Sequence, residues 1–152
     1  MLPTPSKFCL VSGSSEGTTK LNAFDGALLR AGIGNVNLVK LSSILPPGAV
    51  SVEKLDIPPG SLVPTAYGYI ASELAGQKIA AAVAVGLNGR SFGVIMEHSR
   101  VGSAAEAEAE VRAMVEEAFR MRGLQLTGVK VASVEHVVER TGCAFAAVAL
   151  WY

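Results

Sequence analysis

Two Pro-Pro-Gly triplets, Pro46-Pro47-Gly48 and Pro58-Pro59-Gly60, constrain this chain more than any other feature. Proline cannot donate to a central ladder, and the glycine that follows it favours a turn. Each triplet therefore marks a turn between extended segments. Before the first triplet, Asn35–Ser42 (NVNLVKLS) alternates as a strand does. Val36, Leu38 and Lys40 point one way, and Asn35, Asn37, Val39 and Leu41 point the other. Val50–Leu55 lies between the triplets, and Leu62–Ser72 (LVPTAYGYIAS) follows the second as an extended run.

The rest of the chain divides in the same way. Lys7–Gly13 is β-branched and apolar and reads as a strand, followed by SSEGTTKLN as a polar loop. Asn22–Ala31 reads as a helix, with Asn22 as N-cap, Asp25 in the first turn and Gly32 at the end. Lys78–Gly86 and Ser91–His98 read as strands joined by the hairpin signal Asn88-Gly89. Ala104–Arg122 is a helix: Ser103 and Glu106 form a capping box, Val111, Met114, Val115, Ala118 and Phe119 form one apolar stripe, and Gly123 closes it. Val129–His136 and Cys143–Tyr152 are the last strands. About seven strands and two helices give a single α+β domain over residues 1–152, with sheet packed on sheet or helix.

Thirteen basic residues balance 13 acidic ones, so no positive surplus exists to neutralise a nucleic-acid backbone. The longest uncharged stretch, Ile57–Ser72, is broken by prolines and glycines and is too short to span a membrane. The start, MLPTPSKFCLVSGSS, does not read as a secretory leader, and the expectation is a cytoplasmic protein. Half the residues are hydrophobic and 17% are charged, a deficit that points to a subunit interface. Cys9 and Cys143 read as buried thiols, and with His98 and His136 they show no metal-ligand spacing. Gly13–Gly17 (GSSEG) lacks the ending of a phosphate loop.

Chemistry is concentrated at Leu41-Ser42-Ser43-Ile44, where the strand meets the first Pro-Pro-Gly turn. Two hydroxyls at such a junction are ordinarily turn residues. A strained junction can instead hold the Ser43 hydroxyl against the carbonyl of Ser42. Attack then rearranges the amide to an ester, elimination breaks the chain and leaves dehydroalanine, and water replaces its nitrogen, released as ammonia, to leave a pyruvoyl group in place of Ser43. Such a ketone condenses with a substrate amine and accepts electrons as pyridoxal phosphate does, with no catalytic lysine.

VSGSSEG (11–17), LNAFDGALL (21–29), AGIGNVNLVKLSSILPPGA (31–49), LVPTAYGYI (62–70), GVIMEH (93–98) and GCAFAAVALWY (142–152) together resemble the pyruvoyl-dependent arginine decarboxylase family, in the same order and over nearly the whole chain. The resemblance implies a four-layer αββα sandwich, self-cleaved into a β chain of residues 1–42 and an α chain of residues 43–152. It implies a trimer of cleaved protomers with active sites between neighbours, and leaves open whether trimers pair into hexamers. The reaction implied is conversion of L-arginine to agmatine and CO2, in polyamine synthesis or acid resistance, without metal, nucleotide or pyridoxal phosphate.

The resemblance also assigns residues. Ser42 and Ser43 flank the cut, and Ser43 becomes the covalent pyruvoyl cofactor. Asn37 assists self-processing, where its amide could hold the oxyanion of the acyl shift. Glu97 is the catalytic acid; closing the apolar run Val94-Ile95-Met96, it should be partly desolvated, which favours the protonated form needed to reprotonate the substrate carbon. Asp25 contacts the substrate, since a carboxylate accepts two parallel bonds from a guanidinium. For Asp25, a helix-dipole role competes. His98 reads as a surface or interface imidazole, Tyr67 and Tyr69 as sheet-packing aromatics, and Glu106–Glu110 as a solvated helix start. Two alternatives stand beside this reading: a pyruvoyl decarboxylase acting on another amino acid, and a non-cleaving structural or regulatory homologue.

Overall fold

The computed structural model describes residues 1–152 as one α+β domain with two sheets and two helices. Strands β1 (Lys7–Glu16), β2 (Asn37–Lys40), β4 (Val50–Ser51), β5 (Leu62–Ser72) and β9 (Gly142–Trp151) form the first sheet, in the order β2-β5-β9-β1-β4. Strands β3 (Ile44–Leu45), β6 (Lys78–Leu87), β7 (Gly93–Val101) and β8 (Gly128–Val137) form the second, in the order β3-β7-β6-β8. Helix α1 (Lys20–Ala31) packs on β1, β5 and β9; α2 (Ala104–Arg122) packs on β6, β7 and β8.

Strand periodicity decides which residue meets which layer. On β6, Ile79, Ala81, Val83 and Val85 face the other sheet, and Ala80, Ala82 and Ala84 face α2. On β9, Ala144, Ala146, Val148 and Leu150 meet the second sheet, and Cys143, Phe145 and Ala147 meet α1. Both strands are therefore buried on both faces, and their polar backbone is satisfied by ladders on either side. Burying a valine, leucine or phenylalanine side chain stabilises by roughly 1.5–3 kcal/mol. Phe145, Phe119 and Phe8 are the largest side chains so enclosed. Cys9 and Cys143 are buried free thiols. No helix is long and apolar enough to cross a membrane.

Helix α2 starts at Ser103 with the reciprocal Ser103–Glu106 box and ends at Gly123 in the left-handed region (φ 63°), as the sequence indicates. Helix α1 ends at Gly32 (φ 87°) but begins earlier than expected. Thr19, not Asn22, is its N-cap and accepts the Asn22 N–H at 3.1 Å. Asp25 consequently lies beyond the first turn, and its dipole role falls away. Strand β1 also runs further than expected, through Ser14 and Glu16, because ten register pairs with β9 hold it extended. The Asn88-Gly89 turn does join two antiparallel strands, β6 and β7. Val50–Leu55 is a strand only at its first two residues.

Candidate active site

The Ser42–Ser43 peptide spans the gap between the two sheets. Leu41 still belongs to the first sheet, where its N–H donates to the Thr65 carbonyl at 2.9 Å. Ser43 already belongs to the second, where its carbonyl accepts the Ile95 N–H at 2.7 Å. Ser42 is exposed and Ser43 half-buried. The expected strain is absent in one respect: every residue with positive φ is a glycine, so neither serine is left-handed. The crossing is set by pairing on each side rather than by a forced backbone conformation.

Glu97 stands two residues beyond Ile95 on the same face of β7. That face looks into the space between the sheets, where Ile95 belongs to the central core. Opposite Glu97 on β5 lies Gly68: a Cβ there would come within 3.3 Å of both Glu97 Cβ and Cγ. The missing side chain is what admits the carboxyl. Burial pushes the Glu97 carboxyl above its ordinary range, and the ammonium of Lys40 works in the opposite direction.

Lys40 ends β2 and reaches along the edge of β5. Its Nζ donates to the Tyr67 carbonyl at 2.6 Å and lies 4.1 Å from the centre of the Tyr67 ring. The Tyr67 ring packs with Phe24 and Phe145 on the α1 side of the sheet, an aromatic cluster that Tyr69 joins through Phe24.

Asp25 and Asn37 meet elsewhere. They line a groove of about 590 Å³ together with Phe24, Val36, Leu38 and Tyr67. Asn37 also has a local task, since its Nδ2 donates to the Gly60 carbonyl at 3.1 Å and ties the second Pro-Pro-Gly turn to β2. Asn37 is at the opposite end of β2 from the serines. Five residues of chain set an upper limit of roughly 16–18 Å on its distance from Ser42. One chain thus pairs Ser43 with Ile95, two residues from Glu97, and sets Asp25 and Asn37 on a separate groove that reaches this region only through Tyr67, the neighbour of Gly68. His98 faces α2 rather than the core, and its Nε2 is buried without a partner. Glu106 is spent on the α2 cap, and Glu108 accepts the Ser133 hydroxyl at 2.6 Å.

Nothing in the local sequence singles out Lys40 or Gly68 as part of a site, nor a third cluster. His136 Nε2 lies 2.6 Å from Glu16 Oε2, and His136 Nδ1 lies 3.2 Å from Ser14 Oγ. Glu16 Oε1 accepts the N–H groups of Arg140 and Thr141 at 2.8 and 3.1 Å. The cluster clamps β1 to β8 and to the β8–β9 turn.

The family model for pyruvoyl-dependent arginine decarboxylase matches residues 7–152. A pyruvoyl-dependent arginine decarboxylase of Methanocaldococcus jannaschii is 55% identical over 150 residues, covering 97% of this chain and 91% of that protein. That of Thermococcus kodakarensis is 47% identical over 151 residues, covering 98% and 96%. That of Pyrococcus furiosus is 46% identical over 152 residues, covering 97% and 96%.

Proposed function

Since this chain belongs to the pyruvoyl-dependent arginine decarboxylase family, we propose that it cleaves itself between Ser42 and Ser43 and then converts L-arginine to agmatine and CO2. It is an enzyme of the carbon–carbon lyase class, and its cofactor is a covalent pyruvoyl group made from its own chain. The products of the cut are a β chain of residues 1–42 and an α chain of residues 43–152. The packing of α1, the first sheet, the second sheet and α2 in that order supports the four-layer αββα description.

The residues present fit such a group. Ser43 has the side chain from which it is made, and the Ile95 N–H on its carbonyl fixes that residue to β7 whether or not the preceding peptide is intact. When formed, the group supplies an activated ketone that takes up the substrate amine and accepts the electron pair released as CO2 departs. The remaining tasks fall to the chain. In self-processing, the Ser43 Oγ attacks the Ser42 carbonyl carbon, and Asn37 serves that step. In turnover, Glu97 holds a proton in a site poor in water and delivers it to the substrate α-carbon. Asp25 takes the guanidinium through its two carboxylate oxygens.

The observation that carries this reading is the placement of a half-buried, desolvated carboxyl, Glu97, on the strand that grips the Ser43 carbonyl. The separation of Asp25 and Asn37 from Ser43 along β2 supports a site completed by a neighbouring subunit, as in a trimer, and a cytoplasmic location fits a biosynthetic enzyme acting on a small amino acid. The test is intact-mass measurement of the denatured protein with assay of the products. Two fragments breaking at Ser42/Ser43, the larger blocked to Edman degradation and trapped by borohydride with arginine, are expected. Glu97→Gln should still cleave but lose about 100-fold or more in turnover, the usual worth of a positioned acid. A single full-length chain that turns arginine over would refute the proposal. Ornithine, lysine and aspartate run alongside arginine test the substrate.

A further inference from the structure

The polar contacts around the Tyr67–Gly68 peptide extend the site by one residue. Tyr67 O is an edge carbonyl. Leu41 takes the preceding carbonyl of the same parity, Thr65 O, before the chain turns towards the second sheet. The Lys40 ammonium then covers Tyr67 O at 2.6 Å, held over the Tyr67 ring. On the far side of the same peptide, Gly68 presents bare backbone to Glu97 Cβ and Cγ. A bonded ammonium and a half-buried carboxyl therefore flank one peptide unit.

We propose that Lys40 is a positioning residue for proton delivery: its ammonium stabilises the carboxylate that Glu97 becomes when it gives up its proton. The inference rests on the reading of Glu97 as the acid. A desolvated acid is a reluctant donor, because the charge left behind has little water to solvate it. A cation across one peptide offsets that penalty without touching the substrate. No other charge takes this part. β9 and residues 41–43 carry no charged side chain. The charged groups of β5 and β6 stand at their ends, where Glu73 follows β5 and Lys78 pairs with Glu135 at 3.5 Å. The phenols of Tyr67 and Tyr69 lie in the aromatic cluster. On β7 itself, His98 faces α2, and Arg100 pairs with Glu106 at 3.2 Å.

The test separates this inference from the reading beneath it. In a Ser43→Ala chain, which cannot cleave, the Glu97 carboxyl carbon is followed by NMR across pH, with and without Lys40→Met. Glu97 should titrate at higher pH once Lys40 is gone. Added salt should move the titration upward when Lys40 is present, because an exposed cation is screened, and should do so much less in Lys40→Met. In the self-cleaved enzyme, Lys40→Met should lower kcat with little change in KM, and should carry the alkaline limb of the pH profile to higher pH. Lys40→Arg should restore both. Titration of Glu97 at the same pH with and without Lys40 would overturn the inference. Should Lys40→Met not fold, indifference of the Glu97 titration to salt in the Lys40 chain would overturn it as well. Undiminished turnover in Glu97→Gln would instead defeat the catalytic reading of Glu97.

Discussion

Gly142 opens β9 directly against the Glu16–His136 pair, and replacing it tests how firmly that pair is held. A Cβ built at Gly142 lies 2.4 Å from Glu16 Oε2, and 2.7 and 2.8 Å from His136 Cδ2 and Nε2. Contacts between heavy atoms relax at about 3.5–4.0 Å, so Gly142→Ala must push the pair aside by about 1 Å. Neither partner is free to yield. Glu16 is fixed by the Arg140 and Thr141 N–H groups, and His136 by Ser14. The side chains are only 27% and 17% exposed, so water replaces the broken contact poorly. A hydrogen bond to a charged group contributes about 1.5–3 kcal/mol, and one such bond is lost. Taking about 2 kcal/mol, and about 2–4 °C per kcal/mol for a chain of this size, Gly142→Ala should unfold about 4–8 °C below wild type. The assay is thermal unfolding by circular dichroism at one fixed protein concentration. Gly128→Ala is the control, because its Cβ would meet only Leu87 Cδ1, at 3.9 Å. In a His136→Ala background the cost of Gly142→Ala should shrink, as the ring it collides with is absent. A Gly142→Ala melting point within 1 °C of wild type, or an equal loss in Gly128→Ala, would refute the reasoning.

Other outcomes follow from the same geometry. Burial pushes the Glu16 carboxyl up, but hydrogen bonds from the backbone of Arg140, Glu139 and Thr141 and from His136 outweigh it and hold the group below its ordinary value of 4.5. Its stabilising contribution is therefore present above pH 4.5 and lost as pH falls towards the lowered value, so acid should cost wild type more stability than Glu16→Gln in urea titrations over that window. The raised Glu97 carboxyl has the opposite sign for activity: the rate should fall as pH climbs through it, which a pH profile of kcat reads. Gly68→Ala should displace Glu97 by a few tenths of an ångström and lower kcat by about tenfold with little change in melting point. Asp25→Asn should raise KM for arginine more than it lowers kcat; an unchanged KM would remove Asp25 from substrate binding.

Much of the fold is legible where local signals agree. Ser103, Glu106 and Gly123 mark both ends of α2 because capping is a short-range matter. The first helix is less legible: Thr19 and Asn22 are both competent caps, and packing against β1 and β9 selects the earlier one. Strands β3 and β4 are two residues each and exist only because β7 and β1 pair with them. The polar end of β1 reads as loop because its stabilising partners, Ser133 and His136, lie more than a hundred residues away. Of the candidate site, Ser42, Ser43 and Glu97 could be chosen from local sequence and resemblance. Lys40 could not, because its meaning depends on where β2 stops relative to β5. Gly68 carries no signal of its own until Glu97 is seen against it.

The route of the chain at Ser42 has a consequence for how the protein could be made. The segment up to Ser42 is secured by the β1 ladder to β9, by β2 on β5 and by α1 against the sheet, with Ser12, Ser14 and Glu16 also bonded across to β8. The segment from Ser43 onward starts a strand in the other sheet. Covalent continuity at that seam joins two segments that are each held by strand pairing on their own side. Two polypeptides ending and starting there keep the same pairing surfaces, at the cost of making their association bimolecular. The seam is thus a ready split point for complementation as well as the place where the chain can spare a bond.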